Sequence, residues 1–218
     1  MKTKFAYVSL LALSLISTSA LAGLIESGVP AEGKQIANVQ ILKSASLRSN
    51  DQSLSLVGAA LRRKEKLGWH NVYVGQLLVS DVAALDRAAD KALDSLKSQN
   101  AVAMQLSFLR NVGSDDMEQS FSDGFASNGL KDSPIVAEIL EFMKTSGSAE
   151  AGKPLTFVGT VGAEGKETIL IENSKGEVSK PIVGEGAIRT LFSLWLGTLP
   201  VKDKGLVKFK QDVLSYQP

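Results

Sequence analysis

Two neighbouring stretches decide the fold: SLSLVGAALRR at residues 53–63 and VYVGQLLV at residues 72–79. The first stretch begins by alternating polar with apolar residues, which predicts a β-strand with one face exposed at its start. Small residues at positions 58–60 predict that another element packs closely against it. The second stretch is apolar on both faces, which is typical of a strand covered on both sides. We therefore predict that it lies near the centre of a sheet.

Further strands and helices are predicted on both sides of this pair. Strands are expected at about residues 36–42, 101–110, 155–161, 167–172 and 177–183, the last three joined by glycine-rich turns. Helices are expected at residues 81–97, from Ser114 onward, at residues 133–144, and at about residues 186–196 as the last regular element. This order of elements predicts an α+β domain with a large, mostly antiparallel sheet.

The first 22 residues have the pattern of a Sec-type signal peptide. Two lysines precede an apolar stretch, and small residues end the segment at Ala20-Leu21-Ala22. The apolar stretch is shorter than the ~20 residues that cross a bilayer, so we predict cleavage after Ala22 rather than a membrane anchor. The expected organisation is a signal peptide at residues 1–22 and one domain at residues 23–218. We expect a periplasmic protein with no membrane span after cleavage.

The composition argues against several classes of function. Loss of Lys2 and Lys4 with the signal peptide leaves 22 basic and 23 acidic residues, and no long block of either sign occurs. Binding of nucleic acid needs a concentrated positive field, so nucleic acid is not an expected partner. The chain has no cysteine and one histidine, which argues against a zinc or copper site. No cofactor and no metal site are predicted.

Two features could suggest catalysis or metal binding, and both have simpler explanations. A Ser-His-Asp hydrolase would have to use His70, which stands just before an apolar strand and is interpreted as structural. Asp115, Asp116 and Glu118 are clustered near the start of a predicted helix. Carboxylates in that position offset the partial positive charge of the helix N-terminus, so we do not interpret them as metal ligands.

The two opening stretches, with SFLR at residues 107–110 and LWLGTLP at residues 194–200, resemble segments of bacterial chalcone isomerase-like proteins. The segments occur in the same order and span most of the mature chain. The resemblance implies an open-faced β-sandwich, in which helices wrap a curved sheet and a ligand cleft lies between the two layers.

The same resemblance implies ligand-binding roles for Arg62 and Tyr73. In the plant enzymes an arginine on the small-residue strand helps to hold the substrate. In fatty-acid-binding members, a tyrosine on the next strand joins it at the ligand carboxylate. The strand pattern agrees with this role in part, because Arg62 has the parity of Leu54, Leu56 and Ala60. Its guanidinium would then emerge on an apolar face, and a cation there needs an anionic partner. An ordinary strand-end charge for Arg62 and a plain sheet aromatic for Tyr73 are the alternatives.

The chain also departs from the family pattern at the catalytic positions. The isomerases carry a tyrosine and, seven positions later, an asparagine in the segment that here spans residues 113–124. No tyrosine occurs there, and the asparagine position falls near Asp123. Leu194 stands where the last helix would supply a hydroxyl. Without these groups to position a substrate, no catalytic residue is assigned.

We therefore expect an exported, non-catalytic protein that binds a fatty acid or a similar apolar carboxylate between the sheet and the helices. One alternative is an isomerase or intramolecular lyase that acts on a chalcone-like or other small unsaturated substrate. Another is an envelope interaction protein whose cleft is filled by side chains. The sequence does not predict an oligomeric state.

Overall fold

The computed structural model describes residues 23–65, 68–145, 148–199 and 203–217, and the predicted signal peptide at residues 1–22 lies outside them. The strands are β1 (Ile25–Ser27), β2 (Pro30–Ile36), β3 (Val39–Leu42), β4 (Ser44–Leu47), β5 (Ser53–Glu65), β6 (Trp69–Val79), β7 (Ala101–Phe108), β8 (Pro154–Val161), β9 (Glu167–Glu172) and β10 (Ile182–Val183). The α-helices are α1 (Ala92–Ser95), α2 (Ser114–Ser127), α3 (Pro134–Thr145), α4 (Ala187–Leu196) and α5 (Lys204–Ser215).

Eight strands form one antiparallel sheet in the order β1-β4-β5-β6-β7-β8-β9-β10, and β2 pairs with β3 in a separate hairpin. The predicted α+β class with a large antiparallel sheet is confirmed. The strand order places β6 near the middle of the sheet, as its apolar sequence predicts. Among the described residues, no helix is long and apolar enough to span a membrane.

Both faces of the sheet are buried, each against a different layer. On one face, residues such as Leu77 and Phe157 pack against α2, α3, α4 and α5. On the other face, Leu78 packs in a smaller core that includes Ile41 of the β2–β3 hairpin. The buried side chain of Gln76 accepts a hydrogen bond of 2.7 Å from the backbone N–H of Leu42, which holds the hairpin to the sheet. Burial on both faces explains why β6 lacks alternating polarity.

A β-bulge in β5 changes which face its residues occupy. Leu56 pairs with Leu78 and Gly58 with Leu77, so Val57 is an extra residue on β5. Leu56 packs on the hairpin side, whereas Val57 and Ala60 pack on the helix side. The prediction that Arg62 shares a face with Leu54 and Leu56 is therefore wrong, although its grouping with Ala60 is right.

The helix predicted over residues 81–97 is wrong. Only α1 and a following 3-10 turn are helical there. Asp81 and Asp86 each accept a hydrogen bond from the backbone N–H two residues ahead. Such side-chain bonds stabilise turns in competition with a helix.

Two predicted strands are shorter or divided. The strand expected at residues 36–42 is interrupted by a turn at Ala37 and Asn38, which both have positive φ. The strand expected at residues 177–183 is reduced to β10 and one isolated bridge between Glu172 and Val178.

The prediction also missed α5, because regular structure was expected to end near residue 196. α5 is the element that packs on the small residues of β5. A Cβ atom built on Gly58 would collide with the carbonyl oxygen of Val213 in α5. The close approach expected at residues 58–60 is confirmed, and it brings the N-terminus of α5 to the end of β5.

Candidate functional site

A cavity of about 380 Å³ lies between the sheet and the helix layer, bounded by β5, β6, β7, α2, α4 and α5. Its wall combines polar groups with large apolar side chains, including Leu106, Phe108, Phe121, Leu194 and Trp195. A cavity of this size argues against a cleft that is filled by the protein's own side chains.

The opening of the cavity is polar and mainly basic. Lys64, His70, Arg110 and Asp116 line it and are exposed. His70 lies near the start of β6, opposite Lys64 of β5 in the strand register. Exposed charges of this kind are screened by water and salt, so they bias the approach of an anion more than they hold it.

Arg62, Tyr73 and Phe108 stand side by side on three adjacent strands. Arg62 pairs with Tyr73 across β5 and β6, and Tyr73 pairs with Phe108 across β6 and β7. The ring centroids of Tyr73 and Phe108 are 5.4 Å apart. The register therefore brings both predicted site residues to one wall of the cavity, and their contact with a ligand stays a prediction.

Arg62 is a buried cation, with 6% of its surface exposed. Its Nη2 forms an ion pair and a hydrogen bond with Oδ2 of Asp203. Its Nη1 is buried and has no hydrogen-bond partner among the described residues. A buried donor without a partner is uncommon, because desolvation of the N–H group is then uncompensated. Nη1 faces Gly205 of α5, since a Cβ built there would lie 2.5 Å away, while Arg62 as a residue lines the cavity.

The anionic partner expected for Arg62 comes from the protein itself. Asp203 is the N-cap of α5, and its Oδ1 accepts a hydrogen bond of 3.0 Å from the backbone N–H of Leu206. Sequence reasoning missed Asp203 because it missed α5. A capping aspartate followed by Leu206, Phe209 and Val213 at helical spacing was the signal that could have found it.

Tyr73 is buried beneath the helix layer. Its hydroxyl accepts a hydrogen bond of 3.2 Å from Nε1–H of Trp195. Burial raises the pKa of Tyr73 to about 12, although the positive charge of Arg62 opposes this shift. The phenol therefore keeps its proton at neutral pH and can donate a hydrogen bond.

Two of the positions implied in catalysis are apolar or lie away from the cavity. Leu194 lines the cavity, and a Cβ on Gly124 of α2 would lie 2.7 Å from its Cδ2. Asp123 is exposed, accepts a hydrogen bond from Gln119, and does not line the cavity. At this wall α2 instead presents residues such as Met117 and Ser120.

A family model described as chalcone isomerase-like matches residues 33–214. The chain belongs to the chalcone isomerase-like family. The resemblance drawn from the strand and helix segments is thereby confirmed. Among solved structures, this chalcone isomerase-like chain is similar to the crystal structure of a fatty-acid binding protein from Arabidopsis thaliana. The two are 15% identical with a TM-score of 0.49, and the match covers 79% of this chain and 98% of that chain. No curated protein matches the chain.

Proposed function

We propose that this protein is an exported, non-catalytic carrier that binds a fatty acid or a similar apolar carboxylate in the cavity between sheet and helices. The observation that carries the proposal is a buried arginine that lines a cavity beside large apolar side chains. Pockets that bind small molecules typically have volumes of roughly 300–1,000 Å³ and are mostly apolar with a few polar groups. The volume of about 380 Å³ lies in this range, and the lining includes several large apolar side chains beside its polar groups.

The two ends of such a ligand would contribute differently. Burial of a twelve-carbon tail stabilises the complex by roughly 10 kcal/mol before costs, at ~0.8 kcal/mol per methylene. Hydrogen bonds from Arg62 and the Tyr73 hydroxyl to one carboxylate add about 1.5–3 kcal/mol each. Loss of ligand and side-chain freedom subtracts from both contributions. The tail therefore sets most of the affinity, and the polar pair sets the orientation.

Catalysis is not part of the proposal. Leu194 has an apolar side chain at the position where the family's enzymes have a hydroxyl group, and Asp123 does not line the cavity. Incubation of the mature protein with chalcones tests this directly. Ring closure well above the spontaneous rate would make the protein an isomerase instead.

The experiment that tests binding has two parts. Native mass spectrometry and lipid extraction of the exported protein should reveal a copurifying apolar acid. Equilibrium binding of saturated fatty acids should then show affinity that rises about fourfold for each added methylene until the cavity is full, which corresponds to ~0.8 kcal/mol per CH₂.

Two adjacent arginines provide a matched pair of variants. Arg62→Met removes the buried charge and retains an apolar stem, whereas Arg63→Met removes an exposed charge that does not line the cavity. We expect at least tenfold weaker dodecanoate binding for Arg62→Met and little change for Arg63→Met. Equal affinities for both variants, or absence of any fatty-acid binding, would contradict the proposal.

A further inference from the structure

The buried cation at the cavity wall already has a counter-ion. The ion pair joins Arg62 Nη2 to Asp203 Oδ2, with side-chain exposures of 8% and 30% respectively. A ligand carboxylate would therefore meet a guanidinium whose positive charge is already neutralised by Asp203.

The position of Asp203 is fixed by α5. Its other carboxylate oxygen caps the helix through Leu206 N–H. Gly205 lies close to the Arg63 carbonyl oxygen, and a Cβ built on Gly205 would lie 2.5 Å from Arg62 Nη1. Asp203 thus cannot turn away from Arg62 without giving up the cap of a helix that packs tightly on β5.

We propose that Asp203 determines the head-group specificity of the cavity by holding its affinity for a carboxylate below the value that Arg62 would otherwise give. This inference rests on the proposed function. A carboxylate that binds at the cavity-facing side of Arg62 would share one guanidinium with Asp203, and two like charges in a poorly solvated site repel each other. An alcohol with the same tail can also accept a hydrogen bond from the guanidinium, and it carries no charge to repel.

The other charges around the cavity do not replace this effect. Lys64 and Arg110 are exposed at the opening, where solvent screens them. Among the described residues Asp116 is the acid that lines the cavity, and it is exposed at the opening, whereas Asp203 lies behind Arg62 and does not line the cavity. Asp203 is the acid in contact with the buried guanidinium.

Asparagine at residue 203 provides a selective test. Asn is as good an N-cap as Asp, so Asp203→Asn retains the hydrogen bond to Leu206 while it removes the charge. Affinities for dodecanoate and dodecan-1-ol are measured at neutral pH, below the concentrations at which they aggregate. We expect Asp203→Asn to raise affinity for dodecanoate at least tenfold and to change affinity for the alcohol less than twofold.

Asp212→Asn is the matched control. Asp212 lies on the same helix, pairs with exposed Lys208, and does not line the cavity. We expect it to change neither affinity by more than twofold. Adding Arg62→Met to Asp203→Asn should abolish the gain for dodecanoate, because the gain acts through the guanidinium.

Several results would overturn the inference. Unchanged or weaker dodecanoate binding by Asp203→Asn would show that the head group does not meet the Arg62–Asp203 pair as a competing charge. An equal gain for the alcohol would show a change in cavity shape. Asp203→Ser, which also caps a helix, repeats the comparison should the Asn variant fold poorly. Failure of the proposed function is distinct, because then neither the native protein nor any residue-203 variant would bind either probe.

Discussion

Replacement of Gly58 by alanine tests how closely α5 packs on β5. The new Cβ would collide with the carbonyl oxygen of Val213. It would also lie 2.8 Å from Cβ of Tyr216 and 2.9 Å from the carbonyl carbon of Val213. Two of these three atoms belong to the backbone of α5. No side-chain rotation relieves the collision, so the helix has to move away from the strand.

The expected magnitude follows from what each glycine meets. Overpacking of a core typically destabilises by about 1–3 kcal/mol, and we expect the upper end or more for Gly58→Ala because backbone must shift. A Cβ on Gly75 meets ring atoms of Phe209 at 2.5 and 2.9 Å. Since a ring can move, Gly75→Ala should lower the free energy of unfolding by only about 1–2 kcal/mol.

Gly162→Ala is the control for this series. Gly162 is exposed and extended, with φ −86°, and a Cβ there would meet only the Lys166 carbonyl oxygen, at 3.5 Å. Urea unfolding of the three variants should give midpoints that fall in the order Gly162→Ala, Gly75→Ala, Gly58→Ala at similar m-values. Equal midpoints for Gly58→Ala and Gly162→Ala would refute the close packing of α5 on β5.

Three further predictions concern the site and export. Tyr73→Phe should lower the free energy of unfolding by about 1–3 kcal/mol in urea at pH 7, because the buried indole N–H of Trp195 loses its acceptor. Because its pKa rises from 10.0 to about 12 on folding, Tyr73 contributes stability that is present below pH 10 and lost as pH rises toward 12. Between pH 10 and 12 the free energy of unfolding should therefore fall by about 3 kcal/mol less in Tyr73→Phe than in the native protein, at ~1.4 kcal/mol per pKa unit. An identical fall in both proteins would disprove the role of this phenol. The protein recovered from the periplasm should begin at Gly23 by N-terminal sequencing, and retention of residues 1–22 would contradict the signal-peptide prediction.

Local periodicity was a reliable guide where one face of an element meets a core. β9 runs from Glu167 to Glu172 as predicted, and α3 and α4 begin and end within about a residue of their predicted bounds. These elements were predicted well because their apolar residues recur with a clear period. The pattern failed at residues 81–97 because apolar residues at helical spacing also fit a chain of turns. There the side chains of Asp81 and Asp86 bond to nearby backbone N–H groups.

By itself, the sequence determined the α+β architecture, the family resemblance and the choice of Arg62 and Tyr73 as candidate site residues. These follow from short-range patterns of polarity and from segments in a recognisable order. Tertiary structure alone decided which face of β5 carries Arg62, through the bulge at Val57. It also decided that Asp203, 141 residues further along the chain, is the partner of that arginine. A contact over such a separation depends on how α5 packs against β5, and no local period in the sequence specifies that packing.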